Sequence, residues 1–246
     1  MKLVDLILRS DKDLQPGSCR TLGARSGRYF RPSRMSVPDE VARRLMVTGL
    51  DVGGREQRVG PGAVPALLFS DRAVVEDLDL DPVVGVDEVS VSFLNFSDGP
   101  VAPFEVVLSG YADGEVLADV GRRVVGLGST TVLAGQRCHV CVQPKSSFRA
   151  GRLVVPSDVA GDFRIVDVWV GLNSQLAAPG SLPATEHTEV VPQPEDCPLC
   201  RDTCPASAWI TVAVENVSGA DRSFTGALCG VGWLGRRSNR KDRRTR

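Results

Sequence analysis

Two histidines and seven cysteines are the residues of this 246-residue chain best suited to chemistry. His139 lies in a segment that reads as a strand, and His187 follows Glu186 in a loop. Serine-type catalysis would need one of these two beside a nucleophile and a carboxylate. No GxSxG elbow, P-loop or HExxH motif accompanies them. Cys197-Pro-Leu-Cys200, followed by Cys204, has the spacing of a zinc knuckle, because two thiolates two residues apart can reach one ion. His187 is the nearest residue able to complete a tetrahedron. The expectation is therefore a structural zinc site at Cys197, Cys200, Cys204 and His187, set against a plain cluster of loop thiols. No other cofactor is implied. Cys138-His-Val-Cys141 has the same spacing but sits in a strand. There, residues i and i+3 face opposite sides about 10 Å apart and cannot chelate one ion.

Other patterns have structural readings. Asn95-Phe-Ser97 and Asn216-Val-Ser218 match the glycosylation sequon, yet they fit strand-end turns as well. The run Glu76 to Asp81 alternates acid with leucine, as a strand with a charged outer face does. Calcium there would require successive ligands to leave the strand. Trp169 and Trp209 fall on expected strands and read as core. No acid–base pair emerges, so the expectation is a protein that is not an enzyme and takes no small-molecule substrate.

Composition bounds the scaffold. With 42% hydrophobic and 24% charged residues, the length suits two domains, each able to bury a core without a staple. Asp5 splits the apolar run near the amino terminus and no small-residue cleavage site follows, which argues against a signal peptide. No apolar stretch reaches the roughly 18 residues of a membrane-spanning helix. The uneven, odd set of cysteines reads as reduced thiols. A virion or cytoplasmic location fits these features.

Net charge is −1, but it is unevenly placed. Arg236, Arg237, Arg240, Lys241, Arg243, Arg244 and Arg246 give the last eleven residues a charge of +6, leaving −7 on the rest. Such a run reads either as a solubilising arm or as a non-specific contact with nucleic acid or anionic membrane. It has no aromatic residue to stack on bases, so it would not read sequence.

What positions all of these residues is a duplication. Phe30–Ala66 aligns without a gap to Phe148–Ala184 at an offset of 118 residues, with 14 of 37 positions identical. The identities include Phe30/Phe148, Arg34/Arg152, Pro38/Pro156, Gly53/Gly171, Gln57/Gln175 and Pro61/Pro179. Val91–Ser97 then matches Val212–Ser218 at offset 121, and Phe104, Leu108 and Gly110 match Phe224, Leu228 and Gly230 at offset 120. The second copy thus holds about three extra residues between Ala184 and Val212. Phe30, Phe148 and the paired valines read as core, and Pro38 and Pro156 mark strand ends. Arg34 and Arg152 stand out, since packing alone rarely fixes a charge. They read either as guanidinium groups tying loop carbonyls or as contacts at a domain or subunit boundary.

Valine-rich alternating segments separated by Gly, Pro, Asn or Asp predict strands. In the first copy these are 3–8, part of 21–30, 34–37, 45–52, 64–69, 74–80, 89–96 and 104–111. In the second they are 122–127, 131–143, 152–155, 163–170, 209–215 and 224–231. One or two helical turns are expected after Pro38 and Pro156. The expected fold is all-β: two tandem β-sandwich, jelly-roll-like domains at 1–117 and 118–235, then a basic tail at 236–246.

Two such sandwiches, an acidic body and a basic tail resemble the tandem jelly-roll capsid proteins of icosahedral viruses and phages. The resemblance is one of architecture over nearly the whole chain; no short motif carries it. It implies a self-assembling virion component whose partners are copies of itself or related structural subunits. It also implies a terminal arm that faces nucleic acid or an inner membrane. The competing class is a non-catalytic tandem-sandwich binding module for protein or carbohydrate, although 5% aromatic residues is poor material for a sugar site.

Overall fold

The computed structural model describes residues 3–58, 60–74, 78, 80–83, 86–112, 120–176, 180–192, 199, 200, 202–206 and 208–233. The first copy contains β1 (Leu3–Arg9), β2 (Cys19–Arg25), β3 (Arg31–Ser36), a helical turn α1 (Asp39–Ala42) and β4 (Leu45–Val52). It continues with β5 (Arg55–Glu56), β6 (Val64–Pro65), a 3-10 turn (Ala66–Phe69), β7 (Glu88–Asn95) and β8 (Glu105–Tyr111). The second copy repeats the series: β9 (Val120–Val132), β10 (Arg137–Val142), β11 (Ser147–Val154), α2 (Ser157–Ala160) and β12 (Phe163–Val170). Then come β13 (Asn173–Ser174), β14 (Leu182–Pro183), a 3-10 turn (Ala184–His187), β15 (Ile210–Asn216) and β16 (Arg222–Trp233).

Each copy folds into two antiparallel sheets. In the first, the orders are β1-β8-β3 and β2-β7-β4-β5, with β6 also on β4. In the second they are β9-β16-β11 and β10-β15-β12-β13, with β14 on β12. The first four strands of each copy alternate between sheets, and the last two return beside the first two. That wrapping is a jelly roll, present twice.

Alternation in sequence becomes alternation in burial. β7, EVSVSFLN, buries Val89, Val91, Phe93 and Asn95 and turns Ser90, Ser92 and Leu94 away from the core. One core holds Phe30, Phe93 and Phe104, and the other holds Phe148, Phe163 and Phe224. Edge-to-face pairs lie within them, Phe93 with Phe104 at 5.6 Å and Phe163 with Phe224 at 5.2 Å. Even irregularities are duplicated. Bulges fall between Pro32 and Arg34 and between Ala150 and Arg152, and again between Val47 and Gly49 and between Ile165 and Asp167.

Three local expectations need correction. The strand expected over 64–69 stops at Pro65, which has no N–H for the ladder; its φ of −55° instead starts a 3-10 turn. The long strand expected over 131–143 is broken by a turn at Gly135, whose φ is +68°, and only Arg137–Val142 re-enters a sheet. Neither tryptophan is core: Trp209 precedes β15 and is 51% exposed, and Trp169 is half-buried on the face of β12 opposite the core residues Val168 and Val170. The segment expected as a strand at 74–80 lies partly outside the described residues. Its Leu78 and Leu80 are buried, and the Leu78 N–H donates to the Ser33 carbonyl at 2.6 Å. The expected domain boundary near 117 lies outside the described residues.

Candidate functional site

Repeat-paired residues build the same devices in both sandwiches, and the differences between them locate the site. The two sequon asparagines are fully buried. Asn95 Nδ2 donates to the carbonyls of Leu14 and Gly99 at 2.8 and 2.9 Å, and Asn216 Nδ2 donates to those of Val132 and Ala220, both at 2.8 Å. Each Oδ1 accepts from the backbone and hydroxyl of the serine two residues on. Every lone pair and proton of these amides is committed to the fold. A second device pairs Gln57 with Asp81 and Gln175 with Asp202. The glutamine Nε2 donates to the carboxylate at 3.3 and 3.1 Å, and its Oε1 accepts the aspartate N–H at 2.9 and 3.0 Å. Gln57 and Gln175 were visible as a repeat pair; the two aspartates fell in the segment where the offset changes.

Arg34 and Arg152 diverge. Arg152 is buried on the face of β11 that points away from its own core. Its Nη2 donates to the carbonyls of Thr188 and Val191 at 3.0 and 2.8 Å, and its Nη1 reaches into the first sandwich to the Val74 carbonyl at 3.1 Å. The Val74 N–H donates back to the Glu189 carbonyl at 2.8 Å. Glu189, also buried, accepts the Ser157 N–H and hydroxyl at 2.9 and 2.6 Å and so holds the start of α2. Arg34 is exposed. One member of the pair therefore ties carbonyls across the joint while the other faces outward.

The joint itself is a sheet face packed on a sandwich edge. Val124, Val154 and Ala227 belong to the second copy's β9, β11 and β16, yet they pack into the first copy's core. Against them stand Leu68, Phe69, Val74 and Leu78, around a residual cavity of about 30 Å³. Gly62 and Gly126 form a backbone bridge across the joint. A Cβ on Gly62 would collide with the Gly126 carbonyl oxygen, so glycine is required there. Asp158 and Arg43 line a cleft of about 280 Å³ between the copies. Burial raises the Asp158 carboxyl above its ordinary value, with Arg43 opposing.

Three of the four expected zinc ligands lie among the described residues. Cys200 and Cys204 are buried in the second core, their backbone paired with β11 through Ala150 and Phe148. Burial pushes the Cys200 thiol up to about 12 and raises that of Cys204, so both stay protonated in their apolar setting. His187 lies in the 3-10 turn, buried, which lowers its pKa below the ordinary value. Cys197 lies outside the described residues. Among the described residues, no group of three or more His, Cys, Asp or Glu side chains converges on a metal position. Cys138 packs toward the core while Cys141 is exposed and 3.5 Å from the Thr211 hydroxyl, so that pair faces opposite sides as its strand spacing required.

On the outer face of the same sheet, His139 meets Trp169 edge-on at 5.5 Å. Trp209 forms one wall of an open cleft of about 320 Å³, with Pro61, Gln143, Pro144 and Lys145. The basic run 236–246 lies outside the described residues. Among the described residues no helix is long and apolar enough to cross a membrane.

No protein-family model matches the chain, and no curated protein matches it. Among solved structures, "Crystal Structure of the STIV MCP" aligns over 96% of this chain and 98% of its own, at 11% identity and a TM-score of 0.45. A likeness that distant carries no functional argument. The jelly-roll assignment stands on strand order.

Proposed function

We propose that the chain is a self-assembling structural subunit, a virion-type shell component. Its basic C-terminal run would contact a polyanion, either nucleic acid or an anionic membrane. One observation supports this reading above the others. The outer face of β9-β16-β11 is a docking face, filled within the chain by the first sandwich. The same face of the first copy, β1-β8-β3, presents Leu3 and Ile7 at 63% and 43% exposure among the described residues. Large apolar side chains aligned on one face of a sheet mark a contact surface. A chain with one such contact satisfied and its repeat open is suited to propagating the contact from copy to copy.

The test is size-exclusion chromatography with light scattering at low and high salt, on the full chain and on a chain ending at residue 235. Multimers, together with a nucleic-acid-dependent, salt-sensitive shift that disappears with the last eleven residues, are expected. A monomer of 26.3 kDa under every condition would overturn the assembly reading.

A second reading, a non-catalytic binding module, is favoured by the exposed Trp209 beside Lys145 and Gln143. Quenching of tryptophan fluorescence by a glycan, lost in Trp209→Ala, in a protein that stays monomeric would select it.

A further inference from the structure

We infer that copies of this chain associate head to tail, the outer face of β1-β8-β3 on one copy meeting the β14 and 3-10 edge of the second sandwich on another. The inference rests on the self-assembly reading above and specifies its interface. The register of each repeat gives the correspondence. Leu108 pairs with Leu6 and Leu228 with Val125, so Asp5, Ile7 and Ser109 stand where the second copy has Val124, Gly126 and Cys229. Ser36 and Arg34 likewise stand for Val154 and Arg152. On the opposing edge, Ala66 and Ala184 are repeat partners, and Leu67, Leu68 and Phe69 become Thr185, Glu186 and His187. The bridges Val37/Ser70 and Val155/Thr188 confirm that this register continues through the turn.

Both sides of the open contact have therefore changed together. The sheet face exchanges Val124, Val154 and Cys229 for Asp5, Ser36 and Ser109, and the edge exchanges Leu68 for Glu186. Leu68 and Arg152 line the same cavity at the filled joint. Their counterparts, Glu186 and Arg34, are exposed and opposite in charge. An arginine that crosses to a carbonyl within the chain is thus replaced, at the open contact, by an arginine placed to meet a carboxylate.

The open contact is built to be looser than the joint. Ile7 stands where Gly126 allows backbone to touch backbone, and Pro192 follows the turn where Val74 supplies an N–H. Both changes remove backbone hydrogen bonds and leave a contact made by side chains. Leu3 and Ile7 supply its apolar part, with the half-exposed Val107 and Tyr111 beside them. Exposed residues on both partners explain how the chain folds alone before it associates. Unlike charges then favour head-to-tail contact, because two β1-β8-β3 faces would set Arg34 against Arg34.

Charge reversal tests this on the full chain. Sedimentation velocity is measured for the wild type, Arg34→Glu, Glu186→Arg and the double variant Arg34→Glu/Glu186→Arg. Each single reversal is expected to weaken association about tenfold or more, and the double variant to recover most of it. Equimolar mixing of the two single variants should also restore partial association, because the reversed face of one then meets the reversed edge of the other. All variants should melt within a few degrees of the wild type, since both sites are exposed. Association that ignores the single reversals, or a double variant no better than either single, would overturn the interface and leave self-assembly standing. A wild type that never associates would instead overturn self-assembly itself.

Discussion

Asn95 and Asn216 show what a single side chain does in this fold. Each closes the last strand-to-strand loop of its sandwich with two donated and two accepted hydrogen bonds, fully shielded from water. Removing the amide takes a donor from two loop carbonyls and the shared acceptor from the serine N–H and hydroxyl, and leaves a void at a fully buried position. Asn216→Ala is expected to cost about 2–4 kcal/mol. Asn216→Asp keeps the acceptor but loses the donors and should cost nearly as much. Chemical denaturation checks both, and a loss under about 0.5 kcal/mol would contradict the role given to the amide. Sequon chemistry and this burial exclude one another in the folded state, because Nδ2 is the atom that would carry a glycan. Arg152 has the same logic at the joint: three carbonyls, two from its own sandwich and one from the other, depend on one guanidinium.

Valine-rich strands were legible from sequence, and 45–52 and 163–170 have the expected bounds in the structure even though each carries a bulge. The 3-10 turns were not, because Val-Pro-Ala-Leu-Leu-Phe is as apolar as a buried strand and only the missing N–H of Pro65 ends the ladder. Nor was Trp209: a tryptophan at a strand start carries the same local signature whether it points into a core or into a cleft. The joint was hidden for a related reason. Val124 and Val125 are adjacent and both apolar, yet one serves the first core and the other the second. A strand buried on both faces reads as a continuous apolar run, and the partner on its second face lies far away in sequence. The duplication did expose the site indirectly, through Arg34 and Arg152, whose identity in sequence conceals opposite surroundings. At this scale the Gly62/Gly126 bridge is the feature to break. Gly126→Val would drive its side chain into the Ala63 carbonyl and force the sandwiches apart. Faster proteolysis between the copies and a lowered melting temperature are expected; unchanged values for both would show that the joint does not depend on this approach. Gly128→Ala, close to the bridge in sequence and with open space at its Cβ, is the control for backbone effects, since its φ of +73° strains any substitution without crowding the other sandwich.

At the scale of the molecule, two jelly rolls share one arrangement of strands but not one arrangement of surfaces. The second copy has spent its outer sheet face on the first, while the first presents the same face to solvent with Leu3, Ile7, Asp5 and Arg34 on it. The most direct measurement is the mass distribution of the full chain over a concentration series, for the wild type and for Ile7→Glu, which places a charge among the exposed apolar side chains of that face. Multimers that grow with concentration in the wild type and collapse to 26.3 kDa in the variant are the expected result. A wild type that remains at 26.3 kDa throughout, or multimers indifferent to the variant, would contradict the account that this face joins one copy to the next.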